Sequence, residues 1–126
     1  MTIEERLNFK WKKLKQNKNL NVPKIIGHRG VKDLAPENTL ESIIEAFHVG
    51  LKWIEVDVKI SKDNIPFLLH DDDFDRTTNE TGIASSYNYS KIKKLDAGKF
   101  FYKQDTKIYP PTLKEALSLW KKIKVV

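Results

Sequence analysis

The order strand, helix, strand over residues 24–60 constrains this chain more than any other feature. Residues 24–27 are a short apolar run, residues 39–49 carry a helical repeat, and residues 53–60 are a second apolar run. Strands joined through a helix are parallel, because a parallel pair needs a connection of about a dozen residues. A parallel sheet in turn needs both faces covered. In the helix, Leu40, Ile43, Ile44 and Phe47 form the stripe predicted to be buried, and Gly50 follows as its stop. Pro36 keeps that helix from starting earlier, so residues 28–38 read as a loop. A turn at Asp63-Asn64 leads to a third strand over residues 65–69, and the strands are expected in parallel order. Residues 71–88 read as a long loop with few core candidates, and residues 90–95 as a short helix. Pro110-Pro111 breaks the chain. Thr112 and Glu115 then have the spacing of a capping box before a helix over residues 113–121. Residues 123–126 look like the start of another strand.

Ahead of this pattern, Ile3, Leu7, Trp11 and Leu14 make one apolar stripe, and Thr2 with Glu5 resembles a capping box. Residues 1–23 are therefore expected to be an amphipathic helix and linker, and residues 24–126 the main domain. The helix is read as packing over the end of a sheet or barrel. The alternative is a basic helix lying on a membrane surface. The net charge of +6 comes mostly from lysine, dense over residues 10–18. Such charge can serve nucleic acid or anionic lipid, but it is read here as solubilising charge, with no nucleic-acid partner expected. With no cysteine, disulfides and thiolate metal sites are excluded. No secretory leader is read at the start, so a cytoplasmic location is expected. No run approaches the ~18 apolar residues of a membrane span.

The ionisable residues sit at the ends of the apolar runs. His28-Arg29-Gly30 follows the first, Glu55 and Asp57 lie in the second, and His70-Asp71 follows the third. A strand alternates faces with period two, so Glu55 and Asp57 point the same way. Two carboxylates on one face suit a hard cation, and histidines suit proton transfer near neutral pH. Polar residues gathered at strand ends are how parallel α/β folds build active sites. The combination points to a metal-assisted hydrolase. Asp71 is expected to orient His70 or its loop. Asp72 and Asp73 read as an acidic loop, and His48 as an ordinary helical residue.

The strings Ile26-Gly27-His28-Arg29-Gly30, Ala35-Pro36-Glu37-Asn38-Thr39, Ile54-Glu55-Val56-Asp57-Val58, His70-Asp71, Asp75-Arg76-Thr77-Thr78-Asn79 and Thr81-Gly82 together resemble the glycerophosphodiester phosphodiesterase family. Pro111-Thr112-Leu113-Lys114-Glu115-Ala116-Leu117 resembles the segment before that family's fourth barrel strand. The resemblance implies a TIM (β/α) barrel, of which this chain would hold roughly the first half. It implies hydrolysis of glycerophosphodiesters to glycerol 3-phosphate and an alcohol, with a divalent cation, calcium or magnesium. By the same resemblance His28 and His70 are the acid/base pair, Arg29 binds phosphate, and Glu55 and Asp57 are metal ligands. Glu37 and Asn38 belong to the loop after the first strand, with Glu37 near the metal or the arginine. The family's third metal carboxylate, and a lysine two residues later, would fall beyond Val126. Two readings follow: an enzyme whose missing half comes from another chain or from self-association, or a non-catalytic remnant. A membrane-surface binding module built on the N-terminal helix is the third.

Overall fold

The computed structural model describes residues 23–124. The N-terminal segment predicted to be an amphipathic helix lies outside the described residues. Strand β1 (Gly27–His28) pairs in parallel with β2 (Ile54–Glu55), and helix α1 (Leu40–His48) connects them. The crossover from strand through helix to parallel strand is thus formed as expected. Strand β3 (Val58–Ile60) pairs antiparallel with β4 (Pro66–Leu68). A short 3-10 turn (Ala84–Ser86) and helices α2 (Tyr89–Ile92), α3 (Lys99–Tyr102) and α4 (Leu113–Lys124) complete the described chain. Among the described residues, no helix is long and apolar enough to cross a membrane.

Two expectations about strands are corrected. The run 53–60 is two strands rather than one. It breaks at Asp57, whose backbone N–H bonds to the Asn38 side-chain oxygen (3.0 Å) and whose carbonyl accepts from Leu69 N–H (3.1 Å). The third predicted strand is not parallel to its predecessor but folds back as a hairpin. Residues 61–65 are too few for a crossover and suit a reversal. Ser61 and Asn64 close the turn: Ser61 N–H donates to Ile65 O (3.1 Å), Asn64 N–H donates to Ser61 O (2.9 Å), and Asn64 takes a left-handed φ of 64°.

Strand β4 organises the core by alternation. Phe67 and Leu69 face Phe74, Ala84, Ile92 and Leu95, whereas Leu68 faces Ile43 of α1 and Ala116 of α4. Phe67, Phe74 and Ile92 are fully buried. The loop 71–88 therefore supplies core residues, contrary to expectation. Phe74 and Ala84 reach inward because the segment is held by Phe74 N–H to Gly82 O (3.1 Å) and Ala84 N–H to Asp72 O (2.9 Å).

Helix α1 starts at Thr39, whose hydroxyl accepts from Ser42 N–H, a standard cap for the first orphan donors. It ends as predicted at Gly50. Leu51 N–H bonds to Ala46 O and Gly50 N–H to Phe47 O, both 3.0 Å, with Gly50 at φ 83°. That pair of bonds is the Schellman arrangement. The buried stripe is narrower than predicted. Ser42, Ile43 and Ala46 are buried, but Ile44 and Phe47 are exposed. The helix meets α4 and the strands along one edge only, and Ile44 and Phe47 lie off that edge.

At α4 the predicted capping box forms: Glu115 N–H donates to Thr112 Oγ1 (3.0 Å), and Thr112 N–H donates to Glu115 Oε1 (3.1 Å). Residues 123 and 124, expected to open a strand, extend this helix instead. The helical repeat is simply longer than read: Ile123 joins Leu113, Ala116, Leu119 and Trp120 in the cluster around Leu68.

Candidate active site

The turn after β1 is built to aim side chains. Arg29 takes φ 53° and Gly30 φ 82°. A left-handed backbone at a non-glycine residue costs on the order of 1 kcal/mol and persists only where neighbours hold it. Here Asn38 N–H (3.0 Å) and Ser42 Oγ (3.1 Å) both donate to Arg29 O, and Val31 N–H donates to Ser42 Oγ (2.7 Å). Gly30 is required twice over, because a Cβ there would also lie 2.2 Å from Ser42 Oγ. Gly30 N–H continues the ladder beyond the strands, donating to Glu55 O (3.0 Å).

Asn38 ties the first loop to the second carboxylate. It is buried at φ 56°, and its amide both accepts from Asp57 N–H (3.0 Å) and donates to Asp57 Oδ2 (3.1 Å). Asparagine tolerates the left-handed region better than most residues, so one residue meets both demands.

From this frame a continuous line of polar contacts joins the two histidines. His28 Nε2 lies 3.5 Å from Glu55 Oε2. Asp57 is beside Glu55, and Arg29 Nε lies 3.7 Å from Asp57 Oδ2. Arg29 Nη1 donates to Glu37 Oε2 (3.0 Å). Arg76 then donates from Nη1 to Glu37 Oε1 (2.7 Å) and from Nε to Asp71 Oδ2 (2.9 Å). Asp71 Oδ1 contacts His70 Nδ1 (2.8 Å). A small cleft beside this line is lined by Glu37, Asn38, His70, Thr77 and Thr78 among others. His28, Arg29, Glu37, Glu55, Asp57, His70 and Asp71 lie along this line of contacts, and Asn38 bonds to it at Asp57; of these eight, Glu37, Asn38 and His70 line the cleft.

Arg76 falls inside one of the sequence strings, but no role is read for it there. A signal was present. Only three of the 23 basic residues are arginine, and the other described one is Arg29. Arginine's rigid fork suits paired carboxylates in a way lysine does not.

The electrostatics divide the carboxylates into two kinds. Burial, then the charge of Asp57 and a hydrogen bond shared with it, push Glu55 above the usual carboxylate range, while an Arg29 backbone bond and the His28 charge oppose this more weakly. Burial alone would also raise Glu37, but the bonds and charge of Arg76 and then of Arg29 outweigh it and hold Glu37 low. Hydrogen bonding from Arg76 leads the causes that bring Asp71 down to about 2. Glu37 and Asp71 are therefore satisfied by guanidinium groups, whereas Glu55 and Asp57 crowd each other with charge that a cation would relieve. Their hard oxygens are the donor type calcium and magnesium prefer. Among the described residues, no group of three His, Cys, Asp or Glu side chains is assembled as a metal site. Arg29 Nε, buried and without a hydrogen-bond partner, completes the electropositive side.

The chain is 40% identical over 96 residues to a glycerophosphodiester phosphodiesterase of Bacillus altitudinis, a match covering 76% of this chain and 39% of that protein. It is 39% identical over 87 residues to a Homo sapiens glycerophosphoinositol inositolphosphodiesterase, covering 63% of this chain and 16% of that protein. Among solved structures, an Oleispira antarctica phosphodiesterase in complex with the product sn-glycerol-3-phosphate superposes with a TM-score of 0.78 at 39% identity. That match covers 81% of this chain and 41% of the other. A glycerophosphodiester phosphodiesterase from Agrobacterium tumefaciens superposes with a TM-score of 0.76 at 36% identity, covering 81% and 44% of the two chains. The chain thus spans well under two thirds of the length of these relatives. Residues 28–125 match the model of the Glycerophosphoryl diester phosphodiesterase family, and the chain belongs to that family.

Proposed function

We propose that this chain supplies acid/base, phosphate-binding and metal-binding groups for hydrolysis of glycerophosphodiesters to glycerol 3-phosphate and an alcohol, on part of a (β/α) barrel. The observation that supports this most is the single line of contacts from His28 to His70 through two crowded carboxylates and Arg29. A phosphodiester is anionic, and further charge develops on its oxygens during displacement. Arg29, held between Glu37 and Asp57, presents a guanidinium for those oxygens. Glu55 and Asp57 would hold a divalent cation, with remaining positions left to water or to other parts of the enzyme. When bound, that cation supplies charge stabilisation at the phosphoryl oxygens.

The histidines divide the proton work. With Asp71 accepting from Nδ1–H, His70 Nε2 carries a lone pair that takes a proton. His28, beside Glu55, is placed to give one to the leaving oxygen. In the displacement, a glycerol hydroxyl neighbouring the phosphate forms a new O–P bond and loses its proton to the base. The bond from phosphorus to the alcohol oxygen breaks, and that oxygen receives the acid's proton. Water then opens the cyclic phosphate to glycerol 3-phosphate. The sn-glycerol-3-phosphate held by the Oleispira antarctica enzyme supports this substrate class.

The test measures glycerol 3-phosphate released from glycerophosphocholine with calcium or magnesium present. It uses the chain alone and the chain mixed with a polypeptide carrying the rest of the Bacillus altitudinis relative. The expected result is little release from the chain alone and turnover in the mixture that is lost in His28→Ala and His70→Ala. Turnover equal in wild type and in both histidine variants, or none in either arm, overturns the proposal.

A further inference from the structure

We infer that Arg76 is a positioning residue that couples the loop after β1 to the His70–Asp71 pair, an inference that rests on the acid/base reading of His70. Arg76 is half-exposed, yet its guanidinium makes four hydrogen bonds to two carboxylates. Nη1 and Nη2 donate to Glu37 (2.7 and 3.0 Å), and Nε and Nη2 donate to Asp71 (2.9 and 3.0 Å). The fork therefore spans two segments far apart in sequence, one after each histidine. Planar bidentate pairing fixes geometry as well as charge.

The consequence for His70 follows from the next contact. Asp71 uses Oδ1 for both Arg76 Nη2 and His70 Nδ1. Arg76 thus holds the carboxylate whose orientation sets the His70 ring and its tautomer, which leaves Nε2 directed away from Asp71. The consequence for Arg29 is parallel. Glu37 is almost completely buried and shared by the two arginines. Without Arg76, the buried Glu37 carboxylate would be left with Arg29 as its ionic partner among the described residues. Loop 71–88 is thus attached to the site by polar contacts as well as to the core by Phe74. Nothing requires Arg76 to touch substrate.

The experiment uses isotope-labelled chain carrying Arg76→Met or Arg76→Lys. Imidazole nitrogen spectra report His70, carboxyl carbon spectra report Asp71, and amide spectra report the fold around Phe67 and Ile43. Arg76→Met is expected to shift the His70 Nδ1 signal and to move the Asp71 midpoint up from about 2 toward the ordinary 3.8, leaving the core amides in place. Arg76→Lys, with the charge but not the fork, should fall between the two. In the reconstituted hydrolysis assay, Arg76→Met should lower kcat by roughly 10- to 100-fold with a smaller change in KM. Unchanged His70 and Asp71 signals in a folded Arg76→Met chain overturn the inference. If Arg76→Met fails to fold, the same signals in Arg76→Lys decide it. Failure of the histidine variants to affect hydrolysis would remove the acid/base reading but not alter these spectra, so the two failures are distinguishable.

Discussion

The β1–β2 end and the β3–β4 hairpin are held together by different forces. Strands β1 and β2 are two residues each, Ile25 and Ile26 just before β1 are exposed, and the region is fastened by Asn38, Ser42 and charged side chains. The hairpin carries Phe67 and Leu68 between two apolar clusters. The polar end also carries the left-handed residues Arg29 and Asn38 and six of the eight residues gathered at the site. The hairpin contributes the other two, His70 and Asp71, just past its last strand residue. The difference shows how the site is divided: a strained, polar side that gathers charge, and a well-packed side that holds one histidine steady. Arg76 spans them.

The largest test of this contrast is removal of the hairpin's central ring. Phe67→Ala should cost about 3–5 kcal/mol, measured by denaturant unfolding, because a fully buried aromatic leaves a cavity. A loss under about 1 kcal/mol would break the contrast. Asn38→Ala should cost less, about 1–3 kcal/mol, since it leaves the Asp57 N–H and carboxylate without their partner. It should also shift the Arg29 and Asp57 amide signals, whereas Phe67→Ala should mainly disturb the two clusters.

Between the two regions, Arg76→Met should cost about 1 kcal/mol or less near neutral pH, as expected for a half-exposed ion pair. Its sign with pH is definite. Asp71 has a folded pKa held down at about 2 against an ordinary 3.8. It therefore contributes stability that is present above 3.8 and lost as pH falls toward 2. Glu37, also held low, acts in the same direction. The stability gap between wild type and Arg76→Met should narrow across that window in urea titrations, and a gap constant with pH would count against the coupling. The smallest effect is expected at Phe47→Lys, within about 0.5 kcal/mol, because Phe47 lies off the packed edge of α1.

How much of this was legible in the sequence follows the same division. Local signals held well. Thr39 and Gly50 bound α1, Thr112 and Glu115 start α4, and Asp63-Asn64 turn, because each depends on backbone chemistry within a few residues. The candidate residues His28, Arg29, His70 and Asp71 stand out because they follow apolar runs, and Glu55 and Asp57 because they sit two apart within one, whereas Glu37 and Asn38 were picked out only through the family resemblance. Long-range features were not legible. An apolar run reads alike in a parallel strand and in a hairpin, although the five residues 61–65 were a usable sign of reversal. The burial of Phe74 depends on Phe67 and Tyr87 arriving from elsewhere, so an isolated aromatic in a polar loop gave little warning. Arg76 pairs with Glu37 across 39 positions, a separation no local period records.

The central claim is that His28 and His70 act as one unit across the two regions. The most direct measurement is the rate of glycerol 3-phosphate release in the reconstituted assay for His28→Ala, His70→Ala and the double variant. Each single change should lower the rate by on the order of 10²–10⁴-fold. The double variant should be no slower than the slower single variant, because groups acting in one step are not additive. A wild-type rate in either single variant, or losses that multiply in the double variant, would contradict it.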